Sequence, residues 1–303
     1  MKDQSRSGFY FALSAYLIWG TLPLFWKLTE NLDPVEVTAH RALWSLPIAI
    51  IVCVALKRTG DILPALRSPK KIGLLFLSSC LVSFNWGVFI WAITVDRVLD
   101  TALAYYINPL ITVLLGAIFL GDRFNRLQLC AILIATAAVA MLTIVGGQFP
   151  WISLALASTF GLYGLVRKTV DVGPTQGFLI EILLIFPIVA GFVGWKIANG
   201  TSVFFESGET TWLMLLAGPA TATPLILFSV GAKRLRLSTI GLMQFIVPTM
   251  IFLIGVYVFR EPMRNVQLAA FAMIWFALVL YAVSITRGMK KERPSSALTE
   301  DGQ

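Results

Sequence analysis

The sequence has few of the residues on which metal sites and catalytic centres depend. It contains one histidine and three cysteines, and charged residues make up 13% of its 303 residues. Soluble domains carry about a quarter. One histidine excludes a metal site built from several histidines, and the cysteines show no metal-binding spacing. The sequence also lacks a GxxxxGK[ST] nucleotide-binding loop. No cofactor is therefore expected, and a membrane-embedded enzyme with clustered acids and histidines is disfavoured.

Apolar residues are abundant, at 57% of the chain, and the mean hydropathy is +0.81. A helix needs about 20 mostly apolar residues to cross the hydrocarbon core of a membrane. The hydrophobic pattern predicts an all-α membrane protein with ten transmembrane helices. They lie at roughly residues 8–27, 36–56, 72–94, 99–120, 127–144, 149–167, 175–197, 211–231, 237–259 and 266–286.

The excess of basic residues predicts how the chain is oriented. Of the 24 Lys and Arg residues, 18 fall in segments on the side of the N-terminus and five on the other side, when sides alternate span by span. Arg41 lies within a span. Because basic residues accumulate on the cytoplasmic side, both termini are predicted to be cytoplasmic. The net charge of +8 is thus assigned to topology, and no nucleic-acid partner is expected.

Residues 99–142 and 238–281 form a repeat that aligns without a gap. The matched pairs are Pro109 with Pro248, Gly116 with Gly255, Asp122 with Glu261, and Gln128 with Gln267. The repeat predicts two five-helix halves, residues 1–147 and 148–287, followed by a disordered cytoplasmic tail at 288–303. Five is odd, so the halves are expected to be inverted. Inverted halves are common in secondary transporters, with the substrate near the midplane between them; a duplication with no role in transport is the alternative.

Two charged residues lie inside predicted spans, where a charge usually faces a cavity or a partner. Arg41 and Glu181 each follow a matched proline by seven residues. Their positions place them roughly 15 Å apart along the membrane normal, so a direct ion pair is not assumed. Arg41 is a candidate to bind an anionic group, or else extends to the outer headgroups. Glu181 is a candidate cation site or proton carrier, or else makes a structural hydrogen bond.

Other polar and aromatic residues near mid-span are candidates to line a cavity. His40 and Trp44 share a helix face, and Tyr105 and Asn108 lie one turn apart. Pro109 frees the carbonyl of Tyr105 and can kink its helix, and Pro248 does the same for Gln244. Simple helix bending and a packed histidine are the alternatives. The full set of cavity candidates is His40, Arg41, Trp44, Asn85, Trp86, Tyr105, Asn108, Glu181 and Gln244, with Pro109 and Pro248 as helix kinks.

The doubled unit, with LGDRFNRLQLCA closing one copy and FREPMRNVQLAA the other, resembles the EamA domain of the drug/metabolite transporter superfamily. The segments GFYFALSAYLIWGTLPLFWKL and VTAHRALWSLP resemble a bacterial branch named in connection with chloramphenicol sensitivity. Asp122, Ala131 and Ala270 depart from the usual glutamate and glycines, which affects helix packing more than transport. The resemblance covers nearly the whole chain.

This resemblance implies an inner-membrane secondary carrier for a small organic solute, working by alternating access. Export is expected ahead of uptake, and a structural or sensory membrane protein is the less favoured reading. The expected partners are a small-molecule substrate and membrane lipid. Proton coupling through Glu181 is a hypothesis, and the oligomeric state is left open.

Overall fold

A computed structural model describes residues 2–60, 62–121, 125–232, 234–235 and 243–291, and within these ranges the chain forms helices and no strands. The helices are α1 Lys2–Lys27, α2 Pro34–Ala55, α3 Ile62–Leu66, α4 Pro69–Thr94, α5 Val98–Leu120, α6 Arg126–Ile144, α7 Trp151–Thr169, α8 Pro174–Ala198, α9 Gly208–Ala232, α10 Ile246–Leu253 and α11 Asn265–Lys291. A π-helical turn, Ile254–Val258, continues α10.

Eight helices of the described chain are long and apolar enough to cross a membrane. They are α1, α2, α4, α5, α6, α8, α9 and α11. The helix α7 occupies the sixth predicted span, and α10 with its π-helical turn forms a shorter apolar helix in the ninth. The all-helical membrane class is confirmed, and the count of ten crossings stays a prediction. The short helix α3 was not predicted, and Asp122 lies outside the described residues.

Helix starts follow the expected capping chemistry. The side chain of Asp33 accepts a hydrogen bond from Val35 N at 3.0 Å, directly before Pro34. At α6, Asn125 and Gln128 form a reciprocal capping box in which each side chain bonds the other's backbone N–H. At α11, the side chain of Gln267 accepts from Arg264 N at 2.8 Å. Gln128 and Gln267, which are matched in the repeat, therefore each accept a hydrogen bond from the backbone N–H three residues earlier, at equivalent helix starts.

The two matched prolines occupy different settings. Pro109 lies inside the continuous helix α5. Pro248 lies in the first turn of α10, after a break in which Gln244 and Phe245 form a turn. Proline has no N–H to donate to the residue four positions earlier, which here is Gln244. The prediction of a continuous helix over 237–259 is therefore corrected. In the part that the structure describes, from residue 243 onwards, a turn interrupts the helix at the carbonyl to which Pro248 cannot donate a hydrogen bond.

The chain divides into two compact units. The first comprises residues 1–112 and 151–262, where α1 packs on α9, α2 on α8 and α9, and α4 on α7. The second comprises residues 113–150 and 263–303, where α6 packs on α11. Alanines allow the close approach of α6, because Ala131, Ala135 and Ala138 are buried on one face of it. The candidate site residues all lie in the first unit.

Candidate functional site

The side chain of Arg41 lies in an aromatic cage formed by α1, α2 and α4. Its guanidinium carbon is 5.0 Å from the ring centroid of Trp26 and 4.1 Å from that of Trp86. Arg41 is 7% exposed and Trp26 is fully buried. The negative faces of two indole rings partly offset the cost of burying a cation. Arg41 therefore does not extend to the headgroups, as one reading of the sequence held, but is held inside the protein.

Aromatic faces attract a cation but accept few of its N–H bonds, and a guanidinium has five. The Nε atom of Arg41 is buried without a hydrogen-bond partner. None of the acids in the described ranges places a carboxylate oxygen within 4.0 Å of this guanidinium. Arg41 and Glu181 are not paired with each other, in agreement with their predicted separation.

Tyr105 and Asn108 bring α5 to the same neighbourhood. Tyr105 interacts electrostatically with Arg41, and its ring packs edge-on against Phe89 with centroids 6.0 Å apart. Tyr105 is nevertheless 39% exposed beside an arginine that is 7% exposed. Accessible surface next to a buried charge is expected of a residue that lines an internal cavity. One turn further, Asn108 Oδ1 is buried and has no hydrogen-bond partner.

Asn85 has a structural task that the sequence did not indicate. Its side-chain amide donates to Leu156 O at 2.8 Å and to Thr159 Oγ1 at 2.9 Å. These bonds join α4 to α7. Both N–H donors of Asn85 are thereby used, so a role in binding solute is left to its carbonyl oxygen.

Glu181 lies in a separate buried cluster where α4, α7 and α8 meet. It accepts a hydrogen bond from Ser78 Oγ at 2.6 Å and one from Tyr163 Oη at 3.3 Å. Arg167 Nε lies 3.5 Å from the same carboxylate. The Ser79 hydroxyl also donates to the backbone carbonyl of Glu181 at 2.8 Å. A buried acid is thus held by two hydroxyls and one cation.

His40 and Trp44, one turn apart on α2, belong to a third group. The indole Nε1 of Trp44 donates to His40 Nδ1 at 3.1 Å, as their one-turn spacing predicts. The imidazole stacks on Phe204, with centroids 4.7 Å apart and 12° between the rings. Trp44 also stacks on Phe204, at 6.0 Å. Because Nδ1 accepts the bond from Trp44, the proton of neutral His40 is on Nε2.

The loop that carries Phe204 is fastened to α2 through Glu36, which is fully buried. Glu36 Oε1 accepts from Ser202 Oγ at 2.6 Å and from Val203 N at 3.1 Å. Lys196 Nζ lies 2.6 Å from Glu36 Oε2 and 3.1 Å from Asp33 Oδ2. Glu36 therefore ties the loop between α8 and α9 to the start of α2 by two hydrogen bonds, and ties the end of α8 to it by an ion pair.

Sequence reasoning missed several of these partners. Glu36, Lys196 and Arg167 fall at the edges of apolar spans, where charges are normally ascribed to topology. The spacing of Glu36 and His40, one helical turn, was an available signal. Lys27, at the end of α1, pairs with Glu30 at 2.6 Å and with Asp96 at 2.7 Å.

Gln244 is exposed in the turn before α10, and no described contact brings it to Arg41 or Tyr105. Near it, the hydroxyls of Tyr106 and Thr249 are 2.9 Å apart and join α5 to α10. The structure thus gathers Arg41, Trp86 and Tyr105 into one site, and places His40 and Glu181 in two others.

Comparison with known proteins of similar sequence identifies the family of this chain. The profile of the EamA-like transporter family matches residues 6–144. Protein RarD of Streptomyces exfoliatus is 38% identical over 93% of its length and 96% of this chain. The uncharacterized transporter YojE of Bacillus subtilis (strain 168) is 41% identical over 95% of its length and 93% of this chain. The chain belongs to the EamA-like transporter family.

Membership confirms the resemblance seen in the sequence, including the bacterial branch, since RarD proteins are among the relatives. A solved crystal structure shares the fold at a TM-score of 0.59 and 20% identity, over 93% of this chain and 99% of that one. With eight apolar helices in its described part and bacterial transporters as relatives, this EamA-family chain is a multi-pass inner-membrane protein.

Proposed function

We propose that this chain is a secondary carrier that moves a small organic solute across the bacterial inner membrane by alternating access, in the direction of export. The solute binds beside Arg41, in a cavity lined by Trp86 and Tyr105. Both termini face the cytoplasm, and residues 1–147 and 148–287 act as two inverted halves. The names of its relatives, Protein RarD and uncharacterized transporters, support transport as the activity.

The observation that carries the proposal is the unpaired guanidinium of Arg41 at the centre of apolar helices. A buried charge without a partner is costly, and inside a membrane such a residue usually marks the path of a substrate or ion. The accessible surface of Tyr105 beside Arg41 supports an internal cavity at this point. Asn108 Oδ1, on the same face of α5 as Tyr105, offers a free acceptor in the region.

A membrane-integral structural or sensory protein is the rival function. It would have no need for an unpaired cation beside an accessible tyrosine, whereas a carrier needs a site that stays incomplete until the solute arrives. In a carrier, the solute must bind the occluded conformation more tightly than the open ones. Hydrogen-bond donors that only the solute satisfies can supply this difference in affinity.

The test is an untargeted comparison of the solutes moved by proteoliposomes that hold the wild type, Arg41→Ala or Tyr105→Ala. We expect the wild type to deplete or accumulate a small set of solutes from a cell extract, and both variants to lose most of that transport. The direction of movement is measured in vesicles of defined orientation. Solute profiles identical to protein-free liposomes would contradict transport, and unchanged transport in both variants would contradict this site.

A further inference from the structure

Acidic side chains in several parts of the first unit each have a partner, and none of them is paired with Arg41. Glu36 is paired with Lys196, and Glu181 with Arg167. At the chain segment before α5, Asp96 is paired with Lys27, and Asp100 with Arg97 at 2.6 Å. The carboxylate of Glu261 accepts the backbone N–H groups of Val98 and Leu99.

Every one of these acids therefore has its own donor or cation, so none is available to Arg41 without breaking another pair. Asp33 is likewise held by Lys196. The cage around Arg41 supplies aromatic faces alone, from Trp26 and Trp86. Those faces compensate the charge of the guanidinium but leave its buried Nε–H without a hydrogen-bond partner.

We infer that Arg41 is the binding site for the carboxylate of the transported solute, which is a small organic monoanion or an amino-acid-like zwitterion. This inference rests on the proposed carrier function and names its substrate class. A carboxylate accepts two parallel N–H bonds from a guanidinium, a planar match that a neutral carbonyl cannot provide. The two indoles hold the guanidinium plane in place for that contact.

Charge balance selects a carboxylate over a phosphate. One unpaired cation neutralises one negative charge, whereas a phosphate ester carries nearly two at neutral pH. No second cation is recorded against the Arg41 cage in the described ranges, and the largely buried Lys196 and Arg167 are engaged by Glu36 and Glu181. The phenol of Tyr105, which is partly accessible and interacts electrostatically with Arg41, is assigned in this proposal as a second donor to the same carboxylate.

The test compares acids with their own amides on the purified full-length protein. The probes are pyruvate, lactate, benzoate and phenylalanine, each against the corresponding primary amide, with the shift in melting temperature and counterflow in proteoliposomes as readouts. We expect at least one acid to bind and its amide to bind roughly 10- to 100-fold more weakly, the usual effect of losing a charged hydrogen bond. Inorganic phosphate is expected to cause no shift.

The variants separate Arg41 from a general effect of positive charge. Arg41→Gln should abolish the preference for acid over amide, and Arg41→Lys should retain part of it. Arg58→Gln, at an exposed arginine after α2, should behave as the wild type. Equal binding of acids and amides, no response to any acid, or a preference that survives in Arg41→Gln would overturn the inference. Transport of uncharged solutes alone would contradict the carboxylate site but not the proposed carrier function. Absence of all transport would contradict both the carboxylate site and the carrier function.

Discussion

At the scale of single residues, the pairing of Glu181 decides how its role in coupling can be tested. Its carboxylate contacts Ser78, Tyr163 and Arg167, and it is 2% exposed. An acid that carries a proton during transport must leave such a cluster or exchange its partner. In the conformation that the structure describes, the Glu181 carboxylate is therefore paired with Arg167.

Removing one partner of the Glu181–Arg167 pair should lower the stability of the folded protein more than removing both partners. Arg167→Gln leaves Glu181 buried without its cation, and breaking a buried pair typically costs about 3–5 kcal/mol. We expect Arg167→Gln to lower the melting temperature more than the double variant Arg167→Gln with Glu181→Gln. Thermal unfolding of the wild type, both single variants and the double variant measures the coupling. Additive changes would show that the pair contributes nothing as a pair.

The same single variant, Glu181→Gln, tests proton coupling. If Glu181 carries the proton, transport by Glu181→Gln loses the pH dependence shown by the wild type, since glutamine cannot titrate. Initial rates over a range of pH, measured in proteoliposomes for both proteins, give the comparison. A pH dependence that is unchanged would remove Glu181 as a proton carrier and leave it a structural role.

At the scale of helices, the N-terminus of α5 depends on a residue far along the chain. Glu261 accepts the N–H groups of Val98 and Leu99, which have no partner within the helix. Burial is the main cause that raises the pKa of Glu261 to about 7; the two backbone donors act against it, and the nearby acids Asp100 and Asp96 add to it.

A raised pKa in the folded protein makes stability fall as pH rises, because the folded state binds the proton more tightly than the unfolded one. We expect the wild type to lose stability relative to Glu261→Gln between about pH 5 and 8, by at most roughly 3 kcal/mol. Melting temperatures of both proteins across that range test this. Glu209→Gln, at an exposed position, is the control; a stability difference that grows in the wild type's favour at high pH would contradict the expectation.

The loop between α8 and α9 is held by one aromatic side chain and one acid. Phe204 is 9% exposed and stacks on His40 and Trp44, whereas the neighbouring Phe205 is 70% exposed. Phe204→Ala should free the loop, and hydrogen exchange over residues 199–207 should rise at least about tenfold, for a loss of about 1.4 kcal/mol or more of local stability. Phe205→Ala, a matched control, should change exchange little. Equal effects of the two would show that the stacking does not hold the loop.

At the scale of the whole molecule, the helix contacts of the first unit have the pattern expected of two five-helix halves. The pairing of α1 with α9 corresponds to that of α7 with α4, and the pairing of α2 with α9 to that of α8 with α4. Arg41 and Glu181, each seven residues after a matched proline, lie on the corresponding helices α2 and α8. These correspondences support the proposed two halves, and they place a cation cage in one half where the other has an ion pair.

Much of the helical pattern could be predicted from the sequence, because each span is a local run of apolar residues with its own caps. Pairings across the bundle could not. Trp26 and Trp86 meet Arg41 from two other helices, and Lys196 reaches Glu36 across 160 residues. Periodicity places such residues on helices but does not tell which helices become neighbours. Arg41 could be identified as a candidate site residue from the sequence because a charged residue inside an apolar span can be recognised without knowing its neighbours.

The central claim, that the Arg41 cavity opens in turn to each side of the membrane, is tested most directly by thiol labelling at Tyr105. Tyr105→Cys is made in a protein whose native cysteines, Cys53, Cys80 and Cys130, are replaced by alanine. A membrane-impermeant maleimide is then applied to right-side-out and to inside-out vesicles. We predict labelling from both sides. Labelling from one side only, whether or not solute is present, would contradict alternating access at this site.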